Sequence, residues 1–579
     1  MRQMHYNIRI HEHTVRMMTP SEMPQAPTSA TMGSLDLRNR GAAFGRLDQE
    51  TFDVVVIGGG ITGAGIAHDA ALRGLRVALI EARDVASGTS SRSSKMIHGG
   101  LRYLAQGDVG LVREAATERQ VLRRTAPHLT RISPFVMPGS RRSVATVRAG
   151  LVAFERLGRV PRDERHRTLD ADELLDLEPT LRPGRYPAGL VYPEFLTNDA
   201  RLTLANVRSA VAAGATVLTH ASADRIIVGS DGLAEAVDVS GTLPGEDLRA
   251  VVRTRAVVNA AGPWVDAVRA LEDPDGPSRL ALTKGIHVVV PHRRLPVADT
   301  VITLGRDKRP VFAVAAGGPS ADGDAATVTY IGTTDTFHPD ADEWPRIDGD
   351  DVRYLFDAMA DTFEGDPLEP SDVVSMWAGV RPLIAPEGGA DSDAAPSELS
   401  RRDEVWVGPA GVISVAGGKL TAYRSMAQRI VDRLVADLGT GATRCRTTDV
   451  ALVGGDVDVE SLVAELAPSV GGAARRLVDL WGSEARQIVI DSDGEPDALL
   501  EAEVRHAVLH EGALRLEDHW IRRSARSWFT LDPIGTDLDR AAAEMARLVG
   551  WDAERTADEV QHCRQIHAES TACLAGSPG

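Results

Sequence analysis

The sequence predicts an α/β protein in three parts: a Rossmann-type nucleotide-binding domain, a second domain built on an antiparallel sheet, and a helical C-terminal domain. Three observations lead to this prediction. A glycine-rich turn lies between a β-branched run and an alanine-rich segment just after residue 51. Several strand-like runs lie between about residues 286 and 332, and Ala, Leu, Arg and Glu recur at helical spacing from about residue 440.

Composition and charge narrow the function. The chain has 579 residues, long enough to bury a core without disulfide cross-links. It carries 82 Asp and Glu against 64 Lys and Arg, a net charge of −18. Nucleic acid is therefore not an expected partner, because binding its phosphates needs a basic face. The cysteines have no paired spacing, which favours a reducing compartment; they are Cys445, Cys563 and Cys573.

Nothing in the sequence predicts a membrane-spanning helix or a secretory signal. Apolar runs are all shorter than 18 residues, and the first residues are rich in His and Arg. We expect a cytoplasmic protein, with peripheral attachment at the inner face of the cell membrane as the alternative. The stretch 148–159 sets Arg148, Glu155, Arg156 and Arg159 opposite Leu151, Phe154 and Leu157 on a helical wheel. It is either an ordinary amphipathic surface helix or an interfacial helix that meets anionic lipid.

The first 50 residues show no sustained periodicity and contain Pro20, Pro24 and Pro27. We predict a disordered extension over residues 1–50, with Met32 as a second candidate start. Residues 51–435 then form one region in which nucleotide-binding and substrate-binding subdomains are discontinuous. Residues 440–579 form the helical domain.

The glycine-rich turn is the strongest motif. A strand predicted over Phe52–Ile57 leads into Gly58-Gly59-Gly60-Ile61-Thr62-Gly63, a helix over about residues 61–73, and a second strand ending at Glu81. In this pattern Gly58 allows a tight turn, Gly60 lets the backbone approach a pyrophosphate, and Gly63 permits close helix–strand packing. The helix N-terminus favours the anion, and Glu81 is placed to accept hydrogen bonds from ribose hydroxyls. A dinucleotide is the expected ligand.

The motif does not distinguish FAD from NAD, but its surroundings favour FAD. We find no second G-x-G-x-x-G after a strand, so two separate nucleotide cofactors are not expected. After Glu81 the chain enters the small, donor-rich stretch 88–104, which suits a cradle for phosphates and a flavin ring.

Residues 93–104, SSKMIHGGLRYL, closely resemble the signature of FAD-dependent glycerol-3-phosphate dehydrogenases. Further pieces of the family pattern follow in order: Asn259–Trp264, Lys284–His287, Ile331–Asp335, Gly379–Leu383 and Gly417–Arg424. The matches span about residues 52–430. The piece Asn259–Trp264, N-A-A-G-P-W, is shared with the wider D-amino-acid-oxidase-like flavoenzymes. One departure from the family pattern is Asn198, where family members often carry the first of two Asp residues before Ala-Arg-Leu.

The resemblance implies FAD as the cofactor and oxidation of sn-glycerol 3-phosphate to dihydroxyacetone phosphate. We expect the FAD to be non-covalent, because nothing in the sequence marks a specific His or Cys as an attachment point. A hydride would pass from C2 to flavin N5, and the electrons would pass on to a quinone at the membrane surface. The residues expected to contact the cofactor are Gly58, Gly60, Gly63, Glu81, Thr89, Ser90, Ser93, Ser94, Lys95, Ile97, Gly262, Gly418, Lys419, Leu420 and Thr421.

The same resemblance assigns the substrate residues. Arg381, in a Gly-Val-Arg-Pro loop, would bind the phosphate, with Arg102 and Tyr103 as a second pair on that side. His287 is the expected general base, with His98 as its rival. Lys419 would place a cation at the flavin pyrimidine edge. We assign no chemical role to Thr333, Thr334 and Asp335.

Other functions stay open at this stage. A glycerol-3-phosphate oxidase that reduces O₂ would share the substrate residues. An amine or amino-acid oxidase on the same scaffold, or a nucleotide-binding sensor without turnover, are further alternatives. We expect no metal, since Cys563 and His567 are two ligands on one helix face with no Cys pair or third His nearby in the sequence. The oligomeric state is undetermined, and a homodimer is one alternative.

Overall fold

The structure, a computed structural model, describes residues 33–98, 109–157, 160, 162–317, 327–385 and 403–576. The described residues form a six-stranded nucleotide-binding sheet, a four-stranded sheet beside it, a ten-stranded sheet, and a helical C-terminal domain. The predicted fold class is therefore confirmed.

The prediction of a disordered extension is wrong for residues 33–50. Helix α1 (Arg40–Gln49) is capped by Asn39, and Phe44 and Leu47 on it are buried in the core of the nucleotide-binding domain. Before the helix, the backbone N–H of Leu35 donates to the carbonyl of His510 (3.0 Å) in the C-terminal domain. Buried apolar side chains thus order a segment that lacks helical periodicity. Residues 1–32 lie outside the described residues.

The predicted strand Phe52–Ile57 is two strands that enter different sheets. Strand β1 (Thr51–Phe52) pairs with β11 (Arg249–Thr254), whereas β2 (Val54–Ile57) pairs with β3 (Val77–Ile80). The break falls at Asp53, whose carboxylate accepts from the backbone N–H of Arg76 (2.9 Å).

The nucleotide-binding sheet has the order β19-β20-β12-β2-β3-β8, parallel except at its β19 edge. All four residues of β2 are buried, as their β-branched side chains predicted for a central strand. Helix α2 follows the glycine turn. The other elements of this sheet and its neighbour are α2 (Ile61–Leu72), β8 (Thr216–Leu218), β9 (Ala221–Val228), β10 (Ala234–Gly241), β12 (Val257–Asn259), β19 (Glu404–Val407) and β20 (Ile413–Ala416).

The ten-stranded sheet has the order β17-β13-β16-β15-β14-β5-β7-β4, with β18 also paired to β13 and β6 to β7. It is antiparallel apart from the β14–β5 pair. The long strand β13 aligns His287 with Gly332 on one neighbour and with Trp377 on the other. Its strands are β4 (Met96–Ile97), β5 (Arg131–Gly139), β6 (Arg167–Asp170), β7 (Ala188–Leu196), β13 (Leu280–Pro291), β14 (Thr300–Leu304), β15 (Pro310–Ala316), β16 (Val328–Gly332), β17 (Thr336–Phe337) and β18 (Ser375–Ile384).

Helices cover these sheets. Helices α6 (Asp199–Ala212) and α9 (Tyr423–Leu438) both pack against α2, and Gly65 of α2 lies against Tyr423 and Ala427 of α9. The helices between α2 and the C-terminal domain are α3 (Val109–Thr125), α4 (Arg141–Leu157), α5 (Ala171–Leu177), α6 (Asp199–Ala212), α7 (Val265–Arg269), α8 (Gly349–Thr362) and α9 (Tyr423–Leu438).

Helix α4 contains residues 148–157 of the amphipathic stretch predicted from the sequence, and Arg159 lies outside the described residues. Leu151 and Phe154 are buried and Arg148 and Arg156 are exposed, as the helical wheel indicates. Glu155 departs from the wheel: it is buried and accepts from the backbone N–H of His166 (2.7 Å). Among the helices of the described ranges, none is long and apolar enough to cross a membrane.

The C-terminal domain is helical, as predicted. Between its fourth and fifth helices lies a π-helical turn, Asp518–Arg523, all of whose residues are buried. The helices are α10 (Val459–Val470), α11 (Ala473–Trp481), α12 (Ala485–Asp491), α13 (Leu499–His510), α14 (Arg526–Phe529), α15 (Thr536–Val549) and α16 (Ala553–Thr571).

Candidate active site

Two adjoining cavities lie where the nucleotide-binding sheet meets the ten-stranded sheet. The larger, of about 520 Å³, begins at the carboxyl end of β2; we call it the nucleotide cavity. The smaller, of about 220 Å³, lies against β13 and β18, and we call it the inner cavity. Ligands of parallel α/β sheets bind at this edge. Residues common to both walls include Thr89, Ser93, Pro382, Gly418, Lys419 and Leu420.

The glycine turn shapes one end of the nucleotide cavity. Gly58 has φ +112°, and a Cβ there would lie 2.6 Å from the carbonyl oxygen of Ala260. A Cβ on Gly63 would overlap the carbonyl oxygen of Gly58. Gly60 is different, because a Cβ there would meet only the hydroxyl of Ser90, at 3.2 Å, and would otherwise project into open space. Gly58 and Gly63 therefore form the turn, and Gly60 leaves space in front of α2.

Glu81 closes the same end. Its Oε2 accepts from the backbone N–H of Gly59 (2.6 Å) and its Oε1 from that of Arg83 (2.8 Å). Burial raises the pKa of Glu81, against the effect of these hydrogen bonds. The carboxylate is thus fixed by backbone donors beside the turn and faces the nucleotide cavity.

Arg381 lines the inner cavity in a fixed orientation. Its Nη1 donates to Oδ1 of Asp335 (2.9 Å), and its Nη2 donates to Oγ1 of Thr333 (2.9 Å) and to the carbonyl of Thr334 (3.1 Å). Gly285, on the neighbouring strand, makes room for the guanidinium. A planar cation held on its edges in this way suits an oxyanion.

His287 lies on the same wall, and its ring is buried. Nε2 is 3.0 Å from Oγ of Ser94, and the ring stacks on Trp377 with centroids 4.8 Å apart. Nδ1 is buried and has no hydrogen-bond partner among the described residues. Burial, and after it the charges of Arg381 and Lys95, hold the pKa of His287 well below its usual value. The low pKa keeps the ring neutral at pH 7, so one ring nitrogen carries a free lone pair, and the same burial disfavours the charged form.

Most residues predicted for the site reach one of the cavities. His98, the rival base, also lines the inner cavity. Gly63 lines neither, since it packs beneath Gly58. The nucleotide cavity is lined by Gly58, Gly60, Glu81, Thr89, Ser90, Ser93, Gly262, Gly418, Lys419 and Leu420. The inner cavity is lined by Thr89, Ser93, Ser94, His287, Arg381, Gly418, Lys419, Leu420 and Thr421.

Two predicted cofactor residues point elsewhere. Lys95 is buried, and its ammonium donates to Oδ1 of Asp199 (2.7 Å) and to the carbonyl of Ser91 (2.9 Å). Ile97 is fully buried in an apolar cluster with Phe195. Neither lines either cavity, because their side chains stabilise the segment from behind. The predicted substrate residues Arg102 and Tyr103 lie outside the described residues.

The residues that orient the site were not predicted from the sequence. Asp335 and Thr333 lie in the family motif Ile331–Asp335, but that motif alone gave no reason to pair them with Arg381, 46 positions later. Ser94 was assigned to the cofactor and contacts His287. The available signal was a carboxylate, Asp335, that closely follows a predicted strand within a family motif.

Comparisons with known proteins agree with this geometry. A family model described as "FAD dependent oxidoreductase" matches residues 53–424, and one described as "C-terminal domain of alpha-glycerophosphate oxidase" matches residues 445–556. The aerobic glycerol-3-phosphate dehydrogenase of Staphylococcus haemolyticus is 36% identical over 542 residues, which cover 90% of this chain and 94% of that protein. The protein of the same name from Staphylococcus aureus strain MRSA252 is 34% identical over 550 residues, covering 89% and 96%.

A solved structure extends the likeness. The glycerol-3-phosphate dehydrogenase from Bacillus halodurans, complexed with FAD, superposes with a TM-score of 0.76 at 30% identity, covering 94% of this chain and 100% of that one. The chain belongs to the glycerol-3-phosphate dehydrogenase family of FAD-dependent oxidoreductases. The resemblance found in the sequence is confirmed, and FAD is the cofactor of this family.

The residues present fit FAD. The space in front of Gly60 and the N-terminus of α2, which has no side-chain cap on Gly60, would receive the pyrophosphate. Glu81 is placed for the ribose. The shared wall of the two cavities, with Lys419 and Leu420, lies where the nucleotide cavity opens toward Arg381 and His287. A flavin ring there would face both side chains.

Proposed function

We propose that this protein oxidises sn-glycerol 3-phosphate to dihydroxyacetone phosphate; its relatives carry the name glycerol-3-phosphate dehydrogenase. The observation that carries the proposal is the inner cavity, where an oriented guanidinium and a neutral imidazole share one wall beside the nucleotide cavity. A phosphate ester with a neighbouring secondary alcohol needs these two groups.

Each side chain then has one task. Arg381 binds the substrate phosphate, and Asp335 and Thr333 hold its guanidinium plane. His287 receives the proton of the C2 hydroxyl at Nε2, the ring nitrogen that faces Ser94 on the cavity wall. His98 is the alternative base. When bound, FAD supplies the redox chemistry by accepting a hydride from C2 at its N5 atom. Lys419 favours negative charge at the adjacent edge of the site.

We further propose that the electrons pass to a quinone at a membrane surface. The exposed arginines of α4, among them Arg141, Arg142 and Arg148, support contact with an anionic lipid surface. O₂ is the alternative acceptor. Turnover with a soluble quinone and little peroxide would support the first acceptor, and stoichiometric peroxide without quinone reduction would support the second.

The test of the substrate is anaerobic reduction of the bound flavin. Addition of sn-glycerol 3-phosphate should bleach the oxidised-flavin absorbance, whereas glycerol, glycine and sarcosine should not. An Arg381→Lys variant should keep its flavin and need at least tenfold more substrate for half-maximal bleaching. Bleaching by glycine or sarcosine would indicate an amine oxidase instead. A loaded protein that no substrate reduces would indicate a sensor.

A further inference from the structure

The wall of the nucleotide cavity between Glu81 and Ser93 is held from outside by the C-terminal domain. Asp84 is in the middle of this segment, and its side chain is fully buried and points away from the cavity. We call residues 81–93 the cofactor segment. Its residues that line the cavity are Glu81, Ala82, Arg83, Ser87, Gly88, Thr89, Ser90 and Ser93.

The Asp84 carboxylate accepts hydrogen bonds from two guanidinium groups of the π-helical turn in the C-terminal domain. Nε of Arg522 donates to its Oδ2 at 2.5 Å, and Nη1 of Arg523 donates to the same oxygen. Each arginine is also held within the C-terminal domain. Nη2 of Arg522 donates to Oδ1 of Asp518 (2.6 Å), and Nη2 of Arg523 donates to the carbonyl of Glu511 (2.8 Å). All three ion-pair partners are buried, so neither water nor salt replaces these contacts.

Backbone hydrogen bonds join Asp84 to the cavity wall, and its neighbour Ala86 to the glycine turn. The backbone N–H of Ser87 donates to the carbonyl of Asp84 (3.1 Å), and that of Ala86 donates to the carbonyl of Gly59 (3.1 Å). A second link runs through His220, whose backbone N–H donates to the carbonyl of Arg83 (2.6 Å). A displacement of Asp84 would therefore move residues that line the cavity.

The His220 side chain also contacts the π-helical turn of the C-terminal domain. Its Nε2 is 3.0 Å from Oδ2 of Asp518. Burial disfavours the charged ring, but the Asp518 carboxylate outweighs it and raises the pKa of His220. Asp84, His220 and Asp518 have the composition of a metal site, yet both carboxylates already accept from guanidinium groups, which balance their charge.

We propose that the C-terminal domain retains FAD by clamping Asp84 between Arg522 and Arg523. Asp84 is a positioning residue in this proposal, since it contacts the cofactor segment's backbone and not the cavity. Without the clamp the segment gains conformational freedom, and each binding event must order it again, which lowers affinity. The helical C-terminal domain then has a role at the cofactor site, although none of residues 445–556 lines the nucleotide cavity.

The chain offers a matched control. Arg208 on α6 and Glu484 in the C-terminal domain form a bidentate pair (2.5 and 2.7 Å) that is equally buried and also joins the two domains. Arg208 lies about two and a half turns along α6 from Asp199, the helix residue that lines the nucleotide cavity. Loss of this pair should lower stability without loosening the cofactor segment.

The experiment compares Asp84→Asn with Glu484→Gln in the full chain. FAD release from each purified holoprotein is followed after dilution by the rise in free-flavin fluorescence, at a temperature below the unfolding midpoint of both variants. We expect Asp84→Asn to release FAD at least tenfold faster than the unaltered protein, and Glu484→Gln to stay within twofold. Both should show a lower thermal midpoint.

Equal acceleration in both variants would overturn the proposal, because general destabilisation would then explain it. Unchanged release in folded Asp84→Asn would overturn it too. If Asp84→Asn does not fold, Arg523→Lys and Arg208→Lys form the second pair, in which charge is kept and the guanidinium geometry is lost. Faster release in Arg523→Lys alone would support the clamp, and the same release rate in both would contradict it.

Discussion

Gly285 lies directly beside the guanidinium of Arg381. A Cβ on Gly285 would lie 2.6 Å from Cζ of Arg381, far inside van der Waals contact. The two residues are diagonal neighbours on β13 and β18, since Arg381 pairs with Thr283 and Gly285 pairs with Gly379. The glycine has no unusual backbone angle here, so its function is to leave space for a side chain on the next strand.

The first prediction concerns this contact. Gly285→Ala should displace the guanidinium of Arg381 and raise KM for sn-glycerol 3-phosphate at least tenfold, a loss of about 1.4 kcal/mol of binding free energy. FAD content should be unchanged. Steady-state kinetics measure this, with Gly441→Ala as control, because a Cβ on Gly441 meets nothing within 4 Å. A normal KM in Gly285→Ala would contradict the assignment of Arg381.

The second prediction concerns His287. A Cβ on Gly332 would lie 2.6 Å from Nε2 of His287, so Gly332→Ala should push the ring off Ser94. If His287 is the base, flavin reduction should slow about 100-fold or more, the usual worth of a general base. Stopped-flow reduction under saturating substrate measures this rate. An unchanged rate in Gly332→Ala, together with a slow rate in His98→Gln, would transfer the role to His98.

The third prediction separates two glycines of the turn. Gly60→Ala should fold normally and bind FAD at least tenfold more weakly, since its Cβ would enter the space in front of α2. Gly63→Ala should also destabilise the apoprotein, because its Cβ would overlap the carbonyl oxygen of Gly58. Thermal unfolding of the apoproteins and titration with FAD distinguish the two effects. Equal apoprotein stability in both variants would contradict the assignment of Gly63.

The fourth prediction concerns acid stability. Burial alone would raise the pKa of Glu511, but Arg201, His506 and Arg208 lower it to about 2. A carboxyl whose pKa falls on folding stabilises the protein above its unfolded value, near 4.5, and loses that contribution as the pH falls toward 2. The contribution is on the order of 3 kcal/mol at neutral pH.

Glu511→Gln should therefore unfold at a lower temperature than the unaltered protein at pH 7, and the gap should narrow as the pH falls below about 4.5. Calorimetry at a series of pH values measures the gap. Glu460→Gln is the control. Glu460 pairs with Arg475, but its side chain is largely exposed, so its replacement should change the midpoint of thermal unfolding little at any pH. A gap for Glu511→Gln that stays constant down to pH 3 would contradict the prediction.

The nucleotide-binding unit could be predicted from the sequence because its information is local. The strand β2, the turn from Gly58 to Gly63 and the helix α2 follow one another within about twenty residues, and periodicity and glycine spacing describe them well. The exception is Asp53, where a continuous β-branched run divides between two sheets. That break depends on Arg76 and on partners about two hundred residues away, which local patterns do not contain.

The arrangement of the inner cavity could not be predicted in the same way. Its geometry depends on the register of β13 with β16 and β18, which sets Gly285 beside Arg381 and Gly332 beside His287. Register follows from the burial of whole strand faces, and a one-residue shift would reverse every side chain. Residues 33–50 are a second case. Their apolar side chains show no periodicity in the sequence, but they are buried against the nucleotide-binding domain and the C-terminal domain.

The strand order of the nucleotide-binding sheet bears on how the protein is made. Strand β2 is near the start of the chain, but one neighbour, β12, ends at Asn259, and the next strand, β20, ends at Ala416. The nucleotide cavity includes residues as late as Met426. A ribosome must therefore deliver three quarters of the polypeptide before FAD has a complete cavity to enter, and loading of the cofactor is a late event in biosynthesis.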